Sequence, residues 1–232
     1  MQTPLLVLWI IGVTSFSLLG SFYARRTNKS DLLIGLYIAF ILTAQMLATK
    51  IASFDIFGHT FVGPAGVIVF AVTFLLTDIV NEKFGRKETQ RMIMIAFFAQ
   101  VAMTFFLYLG TKFPPAPDWS ATLGNAWNTF FSMTPRIALA SWTAFLVSEN
   151  VDAYVFSWFK KLTHGHMLWL RNVVSTLPAL ALDSLIFIPL AFWGGGFPLV
   201  PLMIGQISIK WLVGVVNIPF IYLNRSVIEG GR

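Results

Sequence analysis

Seven stretches of this chain are almost free of charge, and each is about as long as a bilayer is thick. They run Leu5 to Phe22, Leu32 to Ala48, Phe61 to Val80, Met92 to Leu109, Ile137 to Phe159, Val173 to Trp193 and Leu199 to Leu223. A helix needs about 20 residues to cross hydrocarbon. Lipid offers backbone N–H and C=O groups no partner, so runs of this kind must be helices that bond internally. The expected fold class is therefore all-α, a polytopic transmembrane helix bundle. Only 11% of the residues are charged, against about 25% in soluble domains, so little chain is left for a soluble domain. The absence of Cys removes disulfides, zinc-thiolate sites and cysteine nucleophiles from consideration.

Net charge is +6, and its distribution reads as topology, with no nucleic acid implied. Alternate loops hold Arg25, Arg26 and Lys29, then Lys83, Arg86, Lys87 and Arg91, then Lys160, Lys161 and Arg171, with Arg225 and Arg232 at the C-terminus. The opposite loops hold Lys50, Lys112 and Arg136. By the positive-inside rule the N-terminus is outside and the C-terminus cytoplasmic. In the first run the basic residues follow the apolar stretch, so 1–24 reads as a retained signal-anchor helix. A core follows over 32–224, and 225–232 is a cytoplasmic tail.

The chemistry lies inside the spans. Asp183 is the midpoint of its run, and Glu149 and Lys210 are each within one residue of theirs. A charge at that depth costs at least about 2.5 kcal/mol, so none should face lipid, and opposite charges at matched depth invite pairing. Helical spacing gathers more polar groups. Asn172, Ser175, Ala179 and Asp183 share one stripe; Gln206, Lys210, Gly214 and Asn217 share another. Ser141, Ser148 and Asp152 form a third with Glu149 at its edge, and Thr73, Thr77, Asp78 and Asn81 a fourth. Each stripe needs a helix, water or a ligand opposite it. Asp78 opens a dense charged turn that runs through Glu82 to Glu88. It reads either as a cap or partner of Lys83 or Arg86, or as an inner-gate or substrate residue.

Other signals are weaker. Pro114, Pro115 and Pro117 exclude helix from the start of the long connection Thr111 to Arg136. Its aromatics Trp119, Trp127, Phe130 and Phe131 suit either an interfacial belt or a lid. Pro64, with Gly63 and Gly66, and Pro178 are places where a span would break locally. His164-Gly165-His166 has no carboxylate nearby and reads as solvated, so no metal is expected. No nucleophile, base and acid converge, so no catalytic residue and no cofactor are expected, and the protein reads as a non-enzyme.

Four ordered motifs carry a resemblance. Thr77 to Gly85 (TDIVNEKFG), Glu149 to Phe156 (ENVDAYVF), Arg171 to Thr176 (RNVVST) followed by Leu182-Asp183-Ser184, and Lys210 before a Pro-containing end are similar to the signature series of the queuosine precursor transporter family, also called vitamin-uptake-transporter-like. The match runs from about Leu32 to Leu223. That family has a six-helix core, so Leu5 to Phe22 is expected to be an extra N-terminal helix. If the six spans are two sets of three, the halves form a 3+3 inverted repeat whose middle helices carry Asp78 and Asp183.

The resemblance implies uptake, across the cytoplasmic (inner) membrane, of a 7-deazaguanine, the 7-cyano or 7-aminomethyl precursor used in tRNA modification. Its pattern falls on Asp78, Asp152, Asn172, Ser175, Asp183 and Lys210, with Arg136 a further match. The expected substrate-binding set is Asp183, Lys210, Asn172, Ser175, Glu149, Asp152, Asp78 and Gln206, with Phe70 or Trp142 as a stacking face. Arg136, Asn81 and Glu82 are expected to be gate or structural residues. The expected partners are this solute, the lipid bilayer and, as an open option, a second copy in a homodimer. Other small planar solutes, and a membrane-embedded enzyme or assembly factor, are the alternatives.

Overall fold

A computed structural model describes residues 3–56, 58–132 and 134–230. Arg232, one of the basic residues of the C-terminal tail, lies outside the described residues, as do Met1 and Gln2 of the N-terminal segment. The elements run α1 (Thr3–Thr27), α2 (Asp31–Leu47), β1 (Ile51–Ile56), β2 (His59–Pro64), α3 (Val67–Phe84), α4 (Arg86–Gly110), α5 (Ala121–Ser132), α6 (Thr134–Leu162), α7 (Leu168–Phe192) and α8 (Leu199–Glu229). The architecture is a polytopic helical bundle, as the apolar runs require.

At the centre stands α3. Residues Ala71 through Asn81 are all buried, so this helix is enclosed on every side, the pattern of a core helix. It packs on α2, α4, α6 and α8, while α6, α7 and α8 pack on one another in sequence order. Outside this group α1 lies against α2 and α8. Asn224 of α8 fixes it there: Ser21 Oγ donates to Asn224 Oδ1 at 2.6 Å and Asn224 Nδ2 donates to Ser17 Oγ at 3.1 Å.

The third apolar run departs from expectation. Phe61 to Pro64 belongs to an antiparallel hairpin with Ile51↔Pro64 through Ile56↔His59 in register, and α3 starts only at Val67. Pro64 has no N–H for a helix, and glycines flank it on both sides. The hairpin is seated by two close backbone approaches. A Cβ on Gly66 would lie 2.2 Å from the Ala44 carbonyl oxygen of α2, and one on Gly205 of α8 would lie 2.2 Å from the Val62 carbonyl oxygen. Pro178, by contrast, lies inside an uninterrupted α7.

One end of the bundle gathers the basic connections. Ser30, before α2, bonds Glu88 of α4, and Lys160 of α6 and Arg225 of α8 both reach Glu82 of α3. The hairpin and α5 belong to the opposite end. After the proline segment, α5 packs on α4 and α6 with Leu123, Trp127 and Phe130 exposed. That is the placement of interfacial anchors, and the chain near the polar core at this end is the hairpin.

Candidate functional site

The polar stripes of α3, α6, α7 and α8 meet in the interior and form three levels. Nearest the hairpin, Lys210 Nζ is ion-paired with Asp183 and lies 4.5 Å from the centre of the Phe70 ring. Ser148 Oγ stands 3.4 Å from the other Asp183 carboxylate oxygen. Both charged side chains are buried, and pairing is what makes a buried charge tolerable. Beside the pair is a cavity of about 40 Å3, lined by Gln45, Phe70, Ser141, Phe187 and Gln206 as well as Asp183 and Lys210. Pro64 and Gly66, at the foot of the hairpin, close its side. The Gln206 and Gln45 side-chain oxygens are buried without hydrogen-bond partners, and Gln45 Nε2 is held by Thr104 Oγ1 at 2.9 Å.

The middle level is acidic. Glu149 accepts from Thr73 Oγ1 at 3.1 Å and Thr77 Oγ1 at 2.9 Å. Asp78 accepts from the Asn172 amide. Thr176 Oγ1 lies 3.1 Å from Asp152 and 3.4 Å from Asp78, and Ser175 Oγ is 3.5 Å from Thr176. All three carboxylates are fully buried. Of the two readings of Asp78, pairing with Lys83 or Arg86 is not what forms; its partners are across the interface on α7.

The third level closes the basic end. Glu82 receives Lys160 at 2.9 Å, Arg171 at 3.2 Å and Arg225 at 3.6 Å, one cation from each of α6, α7 and α8. Arg171, grouped with loop residues in the charge count, is instead fully buried in the first turn of α7, 5.1 Å from the centre of the Phe156 ring. Asn81, one residue before Glu82, donates to the Ala153 carbonyl at 3.1 Å and accepts from Ser157 at 2.9 Å. An open basin of about 590 Å3 lies beside it, lined by Asn81, Arg86, Tyr154, Ser157 and Lys160 among others.

The sequence-derived set is thus brought into one core but not into one pocket. Asp183, Lys210 and Gln206 line the cavity; Asp78, Glu149, Asp152, Asn172 and Ser175 form the acidic level; Asn81 and Glu82 sit at the basic end. Arg136 is apart from all of these, donating through Nε to the Leu190 carbonyl at 3.0 Å and through Nη2 to the Trp193 carbonyl. It satisfies carbonyls at the C-terminus of α7, where a cation is favoured. Phe70 lines the cavity, whereas Trp142 packs against Phe97 of α4 with centroids 6.0 Å apart. Gln45, Thr176 and Phe187 are additions that charge and depth did not signal. His164 and His166 are exposed, and among the described residues no group of acidic, His or Cys side chains is arranged to hold a metal.

A buried polar core with a cavity at its side is what a solute transporter of the multi-pass helical class requires. Residues 64–224 match the family model described as "Putative vitamin uptake transporter". The chain belongs to that family. It is 32% identical over 179 residues to a Bacillus subtilis protein named "Probable queuosine precursor transporter", covering 75% of this chain and 76% of that one. A Haemophilus influenzae protein of the same name is 25% identical over 165 residues, covering 69% of this chain and 63% of its own. No solved structure matches.

Proposed function

We propose that this protein takes up 7-deazaguanine precursors of queuosine, such as 7-cyano-7-deazaguanine, across the cytoplasmic membrane by alternating access. The observation that carries this reading is the cavity beside Asp183 and Lys210, where two free amide oxygens and two aromatic rings face a carboxylate and an ammonium. A deazaguanine is flat and presents adjacent N1–H and amine donors on one edge. Asp183, Gln206 and Gln45 supply acceptors for those donors, Lys210 answers the ring carbonyl, and Phe70 or Phe187 offers a stacking face. The names of both relatives point to the same solute class.

At about 40 Å3 the cavity holds about three waters, so a bicyclic base enters only when the surrounding helices part. Glu82 and its three cations seal the basic end, which the charge distribution assigns to the cytoplasm with the N-terminus outside. The acidic level then lies between solute and exit. In a cell unable to make the precursor, tRNA queuosine at limiting external 7-cyano-7-deazaguanine should depend on this protein. Labelled-precursor uptake should be lost in Asp183→Asn and in Lys210→Met, and unlabelled guanine analogues should compete better than flat vitamins that lack the donor edge. Uptake unchanged in both variants would sink the assignment of the cavity.

A further inference from the structure

The middle level is short of hydrogen-bond donors. Asp78, Asp152 and Glu149 are fully buried on α3 and α6, and among the described residues none of them is in an ion pair. Thr176 carries one hydroxyl hydrogen, yet it faces both Asp152 and Asp78. Asn172 divides its two amide hydrogens between Asp78 and Thr176. Oδ1 of Asp78 is left buried with no partner. A fourth group from outside the acids faces the same place. The Tyr37 hydroxyl of α2, also buried, reaches Glu149 and Thr77. The Lys210 ammonium of α8 feels the Glu149 charge but is already committed to Asp183.

Three carboxylates in a dry interior cannot all hold charge without a cation, because desolvation and mutual repulsion add. A proton on a carboxylate oxygen removes one of the three charges and supplies one donor, which eases both deficits. We propose that Asp78, Asp152 and Glu149 form a proton-binding site, distinct from the solute cavity, that is loaded and emptied during transport. Its position suits the task. Glu149 adjoins Ser148, which touches Asp183 beside the cavity, and Asn81, one turn from Asp78, lines the open basin at the basic end. Proton binding itself does not depend on which solute is carried; only the coupling rests on the 7-deazaguanine reading.

The test uses the full chain in liposomes, with two readouts. Infrared difference spectroscopy of wild type at neutral pH should show a buried carboxylic-acid C=O stretch that shifts in D2O and weakens in Asp152→Asn and in Glu149→Gln. Thr176→Val, which keeps all three acids, should move the band without abolishing it, and serves if the acid variants fail to fold. With voltage clamped by potassium and valinomycin, an acid-outside gradient of one pH unit should raise accumulation of labelled 7-cyano-7-deazaguanine about tenfold for one proton per solute. Asp152→Asn should lose the response of accumulation to the proton gradient.

Absence of the infrared band in wild type overturns the proposal, as does its persistence in all the acid variants. Accumulation that follows a sodium gradient and ignores the proton gradient also overturns it. If the band behaves as expected and no 7-deazaguanine moves, the proton site stands and the substrate assignment fails.

Discussion

Asp183 and Asp152 are both buried carboxylates on neighbouring helices, yet they are satisfied in opposite ways. Asp183 has a cation of its own in Lys210 and borders a cavity. Asp152 has only hydroxyls, those of Ser175 and of Thr176, the second shared with another acid. A paired charge is fixed in its ionic form, and loss of either partner strands the other. A carboxylate held by hydroxyls has no such commitment and can take up or release a proton without stranding a partner's charge. The first arrangement suits recognition of a solute, the second suits a step that cycles.

That contrast can be broken or sharpened by substitution. Lys210→Met should have the largest effect, about 3–5 kcal/mol off the unfolding free energy, since Asp183 would be left buried and alone. Reversible unfolding in mixed micelles would measure it, and Lys210→Met with Asp183→Leu should recover most of the loss without recovering uptake. If the single and double variants are equally unstable, the ion pair is not what holds that level. Thr176→Val should cost about 1–3 kcal/mol by the same measurement, because two carboxylates lose the hydroxyl between them.

Glu149→Gln should cost less, about 1 kcal/mol. Thr73 and Thr77 keep backbone acceptors at Phe70 (2.6 Å) and Thr73 (3.0 Å) when the carboxylate changes. A cost as large as that of Lys210→Met would mean that Glu149 behaves as a fixed ion, erasing the distinction between the levels. Asn224→Ala supplies the baseline. It removes the contacts with Ser17 and Ser21 that tie α1 to α8, and each interhelical hydrogen bond of this kind is worth about 0.6 kcal/mol. Its effect should fall on the docking of α1, read by cross-linking between α1 and α8, with little change in transport.

The bundle and its polar interior were legible in the sequence because they are expensive. Charges at mid-depth and polar residues at intervals of three and four have no innocent placement in lipid, so Asp183, Lys210, Asn172 and Asp152 declared themselves. Residues that cost little gave no such signal. Thr176 and Gln45 are single uncharged polar residues in apolar helices, and only the fold reveals that they face an acid or a cavity. Arg171 was misplaced for a different reason: a cation at the end of an apolar run reads as a loop residue until Glu82 is seen opposite it. Phe61 to Val72 has no polar side chain, so hydrophobicity could not separate strand from helix. Pro64 and its flanking glycines marked the break but not the hairpin that precedes it.

The two glycine contacts beneath that hairpin limit how the cavity can be reached. With Val62 set against Gly205 and the Gly66 backbone against Ala44, the hairpin end of the cavity is braced on both α8 and α2. It behaves less like a trapdoor than like a lintel, which shifts only when its posts lean. Leaning of α2 or α8 changes the cross-section that the protein presents to lipid. With alternating access as proposed, a change in bilayer thickness should change the uptake rate, through the cost of accommodating a tilted helix.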